Sequence, residues 1–193
     1  LVTHIDPSAT LEEEEFFKFL NKRQGILDGV CVSGGEPLLQ EDIEKFIEKI
    51  KMLGFLVKLD TNGSFPAVLE RLVKAKKVDY VAMDIKNSKE HYGLTTGDEK
   101  VPLEKVEESA AFLMQGLVPY EFRTTVVKEL HTKEDFKAIG QWLSKDSPYF
   151  LQNFVDSGDL IEERFTAYSK EELEEFAEIL RRTMSKVELR GIS

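Results

Sequence analysis

Three short polar runs in this sequence each follow an apolar, strand-like run. Ser33-Gly34-Gly35-Glu36-Pro37 follows Gly29-Val30-Cys31-Val32, Asp60-Thr61-Asn62-Gly63 follows residues 55–59, and Asp84-Ile85-Lys86 follows residues 80–83. Paired glycines leave no Cβ between backbone and ligand, so their N–H and C=O groups can approach an amino-acid moiety or a phosphate. A phosphate site would ordinarily add a P-loop lysine or a longer glycine-rich run, and neither is present. Asp60 and Asp84 are acceptors for an ammonium group, sugar hydroxyls or a cation, and Lys86 can hold a carboxylate from the same rim. Together they suit an amino-acid–nucleoside conjugate. Residue types alone leave an alternative open, in which Asp60 and Asp84 only cap the turns that follow them.

The elements that must position these residues alternate along the chain. Strand-like runs near 29–33, 55–59, 80–83, 120–127, 149–154 and 187–189 are separated by runs with apolar residues at helical spacing. Helices are expected near 38–53, 66–76, 106–115, 132–143 and 169–184, with a first one ahead of Gly25 that opens on a Thr10–Glu13 capping box. Thr132 with Asp135, and Ser169 with Glu172, have the same spacing at later helix starts. Residues 87–97 read as a long loop or a short helical insertion above the strand ends. No Pro/Gly-rich linker divides the chain, so residues 1–193 read as one parallel-stranded α/β domain. In such domains ligands bind at the carboxyl ends of the strands, where the three polar runs fall.

Composition narrows the partners. A net charge of −10 without a compact basic patch argues against nucleic acid. No apolar run approaches the roughly 20 residues that a membrane span requires. A single cysteine, Cys31, forms no intrachain disulfide and fits a reducing, cytoplasmic setting. His131 precedes a helix start and reads as a capping or packing residue; His4 and His91 read as isolated surface residues, and Trp142 as core.

The three rim motifs, with Phe122-Arg123-Thr124-Thr125-Val126-Val127 and His131-Thr132, resemble the radical S-adenosylmethionine enzymes that activate glycyl-radical enzymes. The wording is most like the activating proteins of anaerobic ribonucleoside-triphosphate reductase, with pyruvate formate-lyase activating enzymes as relatives, and the likeness covers nearly the whole chain. It implies a partial (β/α) barrel of parallel strands. It also implies S-adenosyl-L-methionine and a [4Fe-4S] cluster as cofactors, a glycyl-radical enzyme as partner and an electron donor such as flavodoxin or ferredoxin. By the same resemblance Gly34, Gly35 and Glu36 hold the methionine ammonium through the backbone, and Lys86 holds the methionine carboxylate. Asp60 and Asp84, with Thr61 close by, supply acceptors to the cofactor or to a monovalent cation. Arg123 and Gln152 belong to the adenosyl side or to the partner's glycine loop.

One departure accompanies the match. The family's Cys-x3-Cys-x2-Cys signature, which binds the cluster, does not occur in this sequence. It would precede Leu1 after a first strand, so the expectation is a radical-SAM-type barrel without its first strand and cluster loop. Such a chain would bind the cofactor weakly and would not cleave it alone. Two other readings stay open: an activator of pyruvate formate-lyase or another glycyl-radical enzyme, and a cluster-free domain that binds nucleosides or partner proteins.

Overall fold

Each strand-like run forms a strand, and the strands pair in chain order. The computed structural model describes residues 11–97, 101–155 and 165–192. Strands β1 (Gly29–Val32), β2 (Leu56–Thr61), β3 (Tyr80–Asp84), β4 (Tyr120–Val126), β5 (Pro148–Asn153) and β6 (Lys186–Arg190) make one sheet in which every neighbouring pair is parallel. Helices α1 (Glu13–Asn21), α2 (Ile43–Met52), α3 (Pro66–Lys74), α4 (Tyr92–Thr96), α5 (Leu103–Leu113), α6 (Lys133–Trp142) and α7 (Lys170–Arg181) fill the connections. Among the described residues β1 and β6 are each paired on one side only, so the sheet does not close on itself.

This strand order decides where water reaches the sheet. Parallel crossovers are right-handed, so connections that always step to the next strand in one direction place their helices on one face. The buried residues follow that prediction: Val57 and Leu59, Val81 and Met83, Phe122, and Tyr149 and Leu151 alternate along their strands and pack in one core with Ile47, Leu69, Leu72, Phe136 and Leu173. The residues between them face the other way: Lys58, Asp60, Tyr80, Asp84, Glu121, Arg123, Gln152 and Arg190. A parallel sheet is ordinarily apolar on both faces because both are covered. Here one face carries charge.

Two helix starts have the expected reciprocal caps, Thr132 with Asp135 and Ser169 with Glu172. Thr10 lies outside the described residues, and α1 starts after Glu12 with three acidic residues in its first turn. The helix expected over residues 38–53 is broken. Pro37–Leu39 forms a single 3-10 turn whose first N–H groups are capped by Glu36, Gln40 then adopts an extended conformation, and α2 starts afresh at Ile43. Apolar spacing ran through the break because Leu38 and Ile43 both enter the core. Residues 87–97 contain the short helix α4, ended by Gly97 at φ +69°. His91 is not isolated, because its Nδ1 lies 2.7 Å from Asp135 Oδ1. Trp142 is half-buried and meets Tyr92 of α4 edge to face.

Candidate functional site

The glycine turn begins one residue past β1. Gly34 has φ +142°, a conformation that side-chain-bearing residues rarely adopt, and a Cβ placed on Gly34 or Gly35 would meet no heavy atom within 4 Å. The backbone here is exposed rather than packed. An open cavity of about 590 Å³ lies beside it, walled by Pro37, Leu39, Ile43 and Phe46 on the α2 side.

Glu36 ties this turn to the end of β2. Its carboxylate accepts from Leu38 N at 3.0 Å, from Thr61 Oγ1 at 2.9 Å and from Asn62 N at 2.7 Å. Burial pushes its pKa up, and the three donors act against that shift. Thr61 Oγ1 also accepts from Gly63 N at 3.1 Å, and the Thr61 side chain is only 3% exposed. Thr61 therefore belongs to the scaffold beneath the rim, on the helix-covered face, and not to its surface.

Asp60, one residue earlier, points to the open face and meets the third rim through Arg123. Arg123 Nε donates to Asp84 Oδ1 at 2.6 Å, and its Nη1 lies 2.9 Å from Asp60 Oδ2. Lys58 Nζ is 2.8 Å from Asp60 Oδ1, and Lys86 Nζ donates to Asp84 Oδ2 at 2.8 Å. Burial would push the Asp60 carboxyl up, but the neighbouring Lys58 ammonium and Arg123 guanidinium outweigh it and hold the pKa below its ordinary value. Arg123 thus places a positive charge between Asp60 and Asp84, the two residues read as acceptors for the cofactor or for a monovalent cation. Three cations against two carboxylates leave this row one positive charge in a chain of net charge −10. Such a row favours an anionic group at its exposed end, and Lys86 is its most exposed cation.

Gln152 lies on the open face of β5, in register with Thr125 on one side and Arg190 on the other. Its row is one step beyond that of Asp84, Arg123 and Phe150. The structure thus brings Gly34, Gly35, Glu36, Asp60, Asp84, Lys86, Arg123 and Gln152 to the same ends of adjacent strands.

A second buried group on the open face escaped the sequence reading. Glu121, 2% exposed, accepts from Tyr80 Oη at 2.9 Å and from two guanidinium nitrogens of Arg190 at 2.7 and 2.8 Å. Arg190 lies over the Phe150 ring, 3.5 Å from its centroid. The signal for Glu121 was its two-residue spacing from Arg123 on an alternating strand; Arg190, 69 positions further on, gave none. Burial and the Glu121 carboxylate push the Tyr80 phenol up to about 12. A folded-state pKa raised above the unfolded value of about 10 stabilises fully below pH 10 and loses that contribution as pH rises through 12. The stability advantage of the native protein over Tyr80→Phe is therefore expected to shrink between those values. Urea unfolding of both proteins across that range checks it, and a constant difference would refute it.

Residues 6–143 match the model of the radical SAM superfamily. The chain belongs to that superfamily. A putative glycyl-radical enzyme activating enzyme of Methanocaldococcus jannaschii is 32% identical over 174 residues, which is 86% of this chain and 72% of that protein. A second putative glycyl-radical enzyme activating enzyme of the same organism is 26% identical over 132 residues, 67% of this chain and 51% of that protein. A crystallised domain of pyruvate-formate lyase-activating enzyme from Bacteroides vulgatus aligns with a TM-score of 0.69 at 18% identity, covering 84% of this chain and 99% of that domain. At that identity the likeness establishes the fold.

For this radical SAM protein, family membership implies S-adenosylmethionine and a [4Fe-4S] cluster. The first fits the residues present, because the glycine turn is open, carboxylates are held in place beside it and a cation stands at the rim. The second does not fit this chain's own residues. Such clusters are held by several cysteine thiolates, and the sequence has one cysteine. Burial, and then Asp60, push the Cys31 thiol up, away from the thiolate that a metal needs. Among the described residues no three His, Cys, Asp or Glu side chains are grouped to hold a metal, and no helix is long and apolar enough to cross a membrane.

Proposed function

We propose that this radical SAM protein acts in generating a glycyl radical on anaerobic ribonucleoside-triphosphate reductase, and that its own residues bind and orient S-adenosylmethionine for that task. The observation carrying the reading is the joining of four strand ends by side-chain bonds, Glu36 to Thr61 and Asn62, and Arg123 to both Asp60 and Asp84. Given a [4Fe-4S] cluster to pass on an electron from flavodoxin or ferredoxin, the bound cofactor would supply the radical that takes a hydrogen atom from the partner's glycine; the cysteines that hold such a cluster are not among this chain's residues. The turn Gly34-Gly35-Glu36 offers backbone carbonyls to the methionine ammonium. Lys86 exchanges Asp84 for the methionine carboxylate. Asp84 and Asp60, both paired with Arg123, accept from the cofactor's polar groups, while Arg123 and Gln152 border the adenosyl side and the entry of the glycine loop.

The choice of partner rests on the residues 122–127 and 131–132, whose wording resembles the reductase activators; the relatives' names specify only a glycyl-radical enzyme. Electron paramagnetic resonance tests it, after anaerobic incubation of each candidate with S-adenosylmethionine, an electron donor and the chain carrying a Cys-x3-Cys-x2-Cys segment ahead of Leu1. The expected result is a glycyl radical on the reductase and none on pyruvate formate-lyase. The reverse would make the chain an activator of the second enzyme. Cofactor binding without a radical on either would favour the nucleoside-binding domain. The site itself is tested by Gly35→Ala. Open space around that position predicts a change in stability within about 0.5 kcal/mol, alongside a clear rise in the dissociation constant for S-adenosylmethionine, measured by equilibrium dialysis. Unchanged affinity would remove the glycine turn from the site.

A further inference from the structure

We propose that His131 is a positioning residue for Lys86, holding that lysine's own backbone carbonyl so that its ammonium group starts from one place. The inference rests on the reading above that Lys86 binds the cofactor's carboxylate.

His131 is 2% exposed, and its ring spans two chain segments. Nε2 lies 2.8 Å from the carbonyl oxygen of Lys86, and Nδ1 lies 3.1 Å from the N–H of Val127. A carbonyl only accepts, so Nε2 carries the hydrogen, and Nδ1 is left with a lone pair for the Val127 N–H. The Val127 carbonyl also lies 3.2 Å from Nδ1, and burial, which pushes the pKa down and disfavours a second ring proton, selects the neutral form with its hydrogen on Nε2. The ring cannot turn away easily. It stacks on Phe136 with centroids 5.8 Å apart and planes at 22°, and the His131 carbonyl accepts from Tyr168 Oη at 2.7 Å.

The chain beyond Lys86 is fastened to the same region by other residues. Asn87 Nδ2 donates to Leu130 O at 2.8 Å and to Thr95 Oγ1 at 2.7 Å. Ser88 Oγ donates to Asp135 Oδ1 at 2.6 Å, the oxygen that His91 Nδ1 also meets. Asp135 is in turn held by Thr132 N and Oγ1 at 2.9 and 2.7 Å. These anchors act on residues 87–91. Among the described residues His131 holds the Lys86 carbonyl, and the Tyr92 phenol also meets the Lys86 backbone. The Lys86 side chain is 43% exposed and has several rotatable bonds, so a fixed backbone origin limits the volume its ammonium group explores and the entropy lost when it meets a carboxylate. A residue that served packing alone at this buried position would need no polar atoms. The imidazole accepts desolvation in order to bridge two backbones.

Binding of S-adenosylmethionine to the full chain and to four variants tests this. Loss of one well-made hydrogen bond predicts about a tenfold rise in dissociation constant for His131→Leu. His131→Gln, whose amide N–H can replace Nε2, should stay within about threefold of the native value. Lys86→Met should weaken binding by itself, and adding His131→Leu to it should change affinity by less than about twofold, because the lysine being positioned is gone. If His131→Leu does not fold, His131→Phe, which keeps the stack on Phe136 and lacks the N–H, takes its place. Native affinity in His131→Leu would overturn the proposal. An equal loss with and without Lys86 would also overturn it, by showing general damage while leaving Lys86's role intact. Native affinity in Lys86→Met would instead remove the carboxylate reading and the proposal together.

Discussion

Arg123→Leu is expected to destabilise the protein by about 2–3 kcal/mol at neutral pH and to impair cofactor binding more than any other single change on the open face. Removing one partner of a fully buried ion pair costs about 3–5 kcal/mol. The side chains here are 16% exposed for Arg123, 12% for Asp60 and 27% for Asp84, so part of that cost is relieved by water. Without the guanidinium, two carboxylates on adjacent strands face each other with only Lys58 and Lys86 at the outer ends of the row. Asp60 has a lowered folded-state pKa, so its favourable contribution is present above the unfolded value of about 3.9 and is lost as pH falls through the folded one. The deficit of Arg123→Leu should therefore be full near pH 7 and shrink below about pH 4 as the Asp60 carboxylate protonates. Arg123→Lys should recover only part of it, because one ammonium does not reproduce the separate bonds from Nε to Asp84 and from Nη1 to Asp60. Urea unfolding followed by fluorescence of Trp142, the single tryptophan, measures each value. A deficit independent of pH would show that packing, not charge, is the role of Arg123.

Gly63→Ala is the second large effect, about 2–4 kcal/mol against folding, and it separates two kinds of glycine on one rim. Gly63 has φ +79°, which costs a residue with a Cβ about 1–2 kcal/mol. Its Cβ would also overlap Met83 Cε and lie 3.1 Å from Met83 Sδ and 3.4 Å from Ser109 Cβ. Met83 is fully buried and its flexible end must move aside within the core, and Ser109 Oγ is committed to the Gly63 carbonyl at 2.7 Å. Overpacking adds about 1–3 kcal/mol. Gly35→Ala, in open space, should leave stability nearly unchanged and act on binding alone. Thermal unfolding of the two variants side by side would show a lowered midpoint for Gly63→Ala only. Equal midpoints would mean that the rim after β2 can rearrange.

The placement of the candidate site residues was largely legible because the carboxyl ends of strands in a parallel α/β domain share one edge. A polar residue directly after an alternating apolar run must come to the carboxyl edge of the sheet, and Gly34, Asp60, Asp84 and Lys86 all satisfied that condition. The first turn after Glu36 was less legible. Leu38 and Ile43 both point into the core, and apolar spacing cannot register that one does so from a 3-10 turn and the other from a new helix. Thr61 was drawn to the rim by its neighbours in sequence, yet a side chain one position along a strand faces the opposite side.

Sequence alone determined the order of strands and helices, the parallel α/β class and the edge on which the polar motifs sit, since each depends on residue periods and turn residues within a few positions. It also determined the resemblance, which is carried by short contiguous runs. Only the tertiary structure decided which charges neutralise which. Arg123 lies between carboxylates 39 and 63 positions away in the chain, Arg190 reaches Glu121 across the open face, and His131 holds the carbonyl of Lys86. Pairing energies of that kind fall steeply with distance and depend on burial, and both are properties of the folded sheet rather than of any local run of residues.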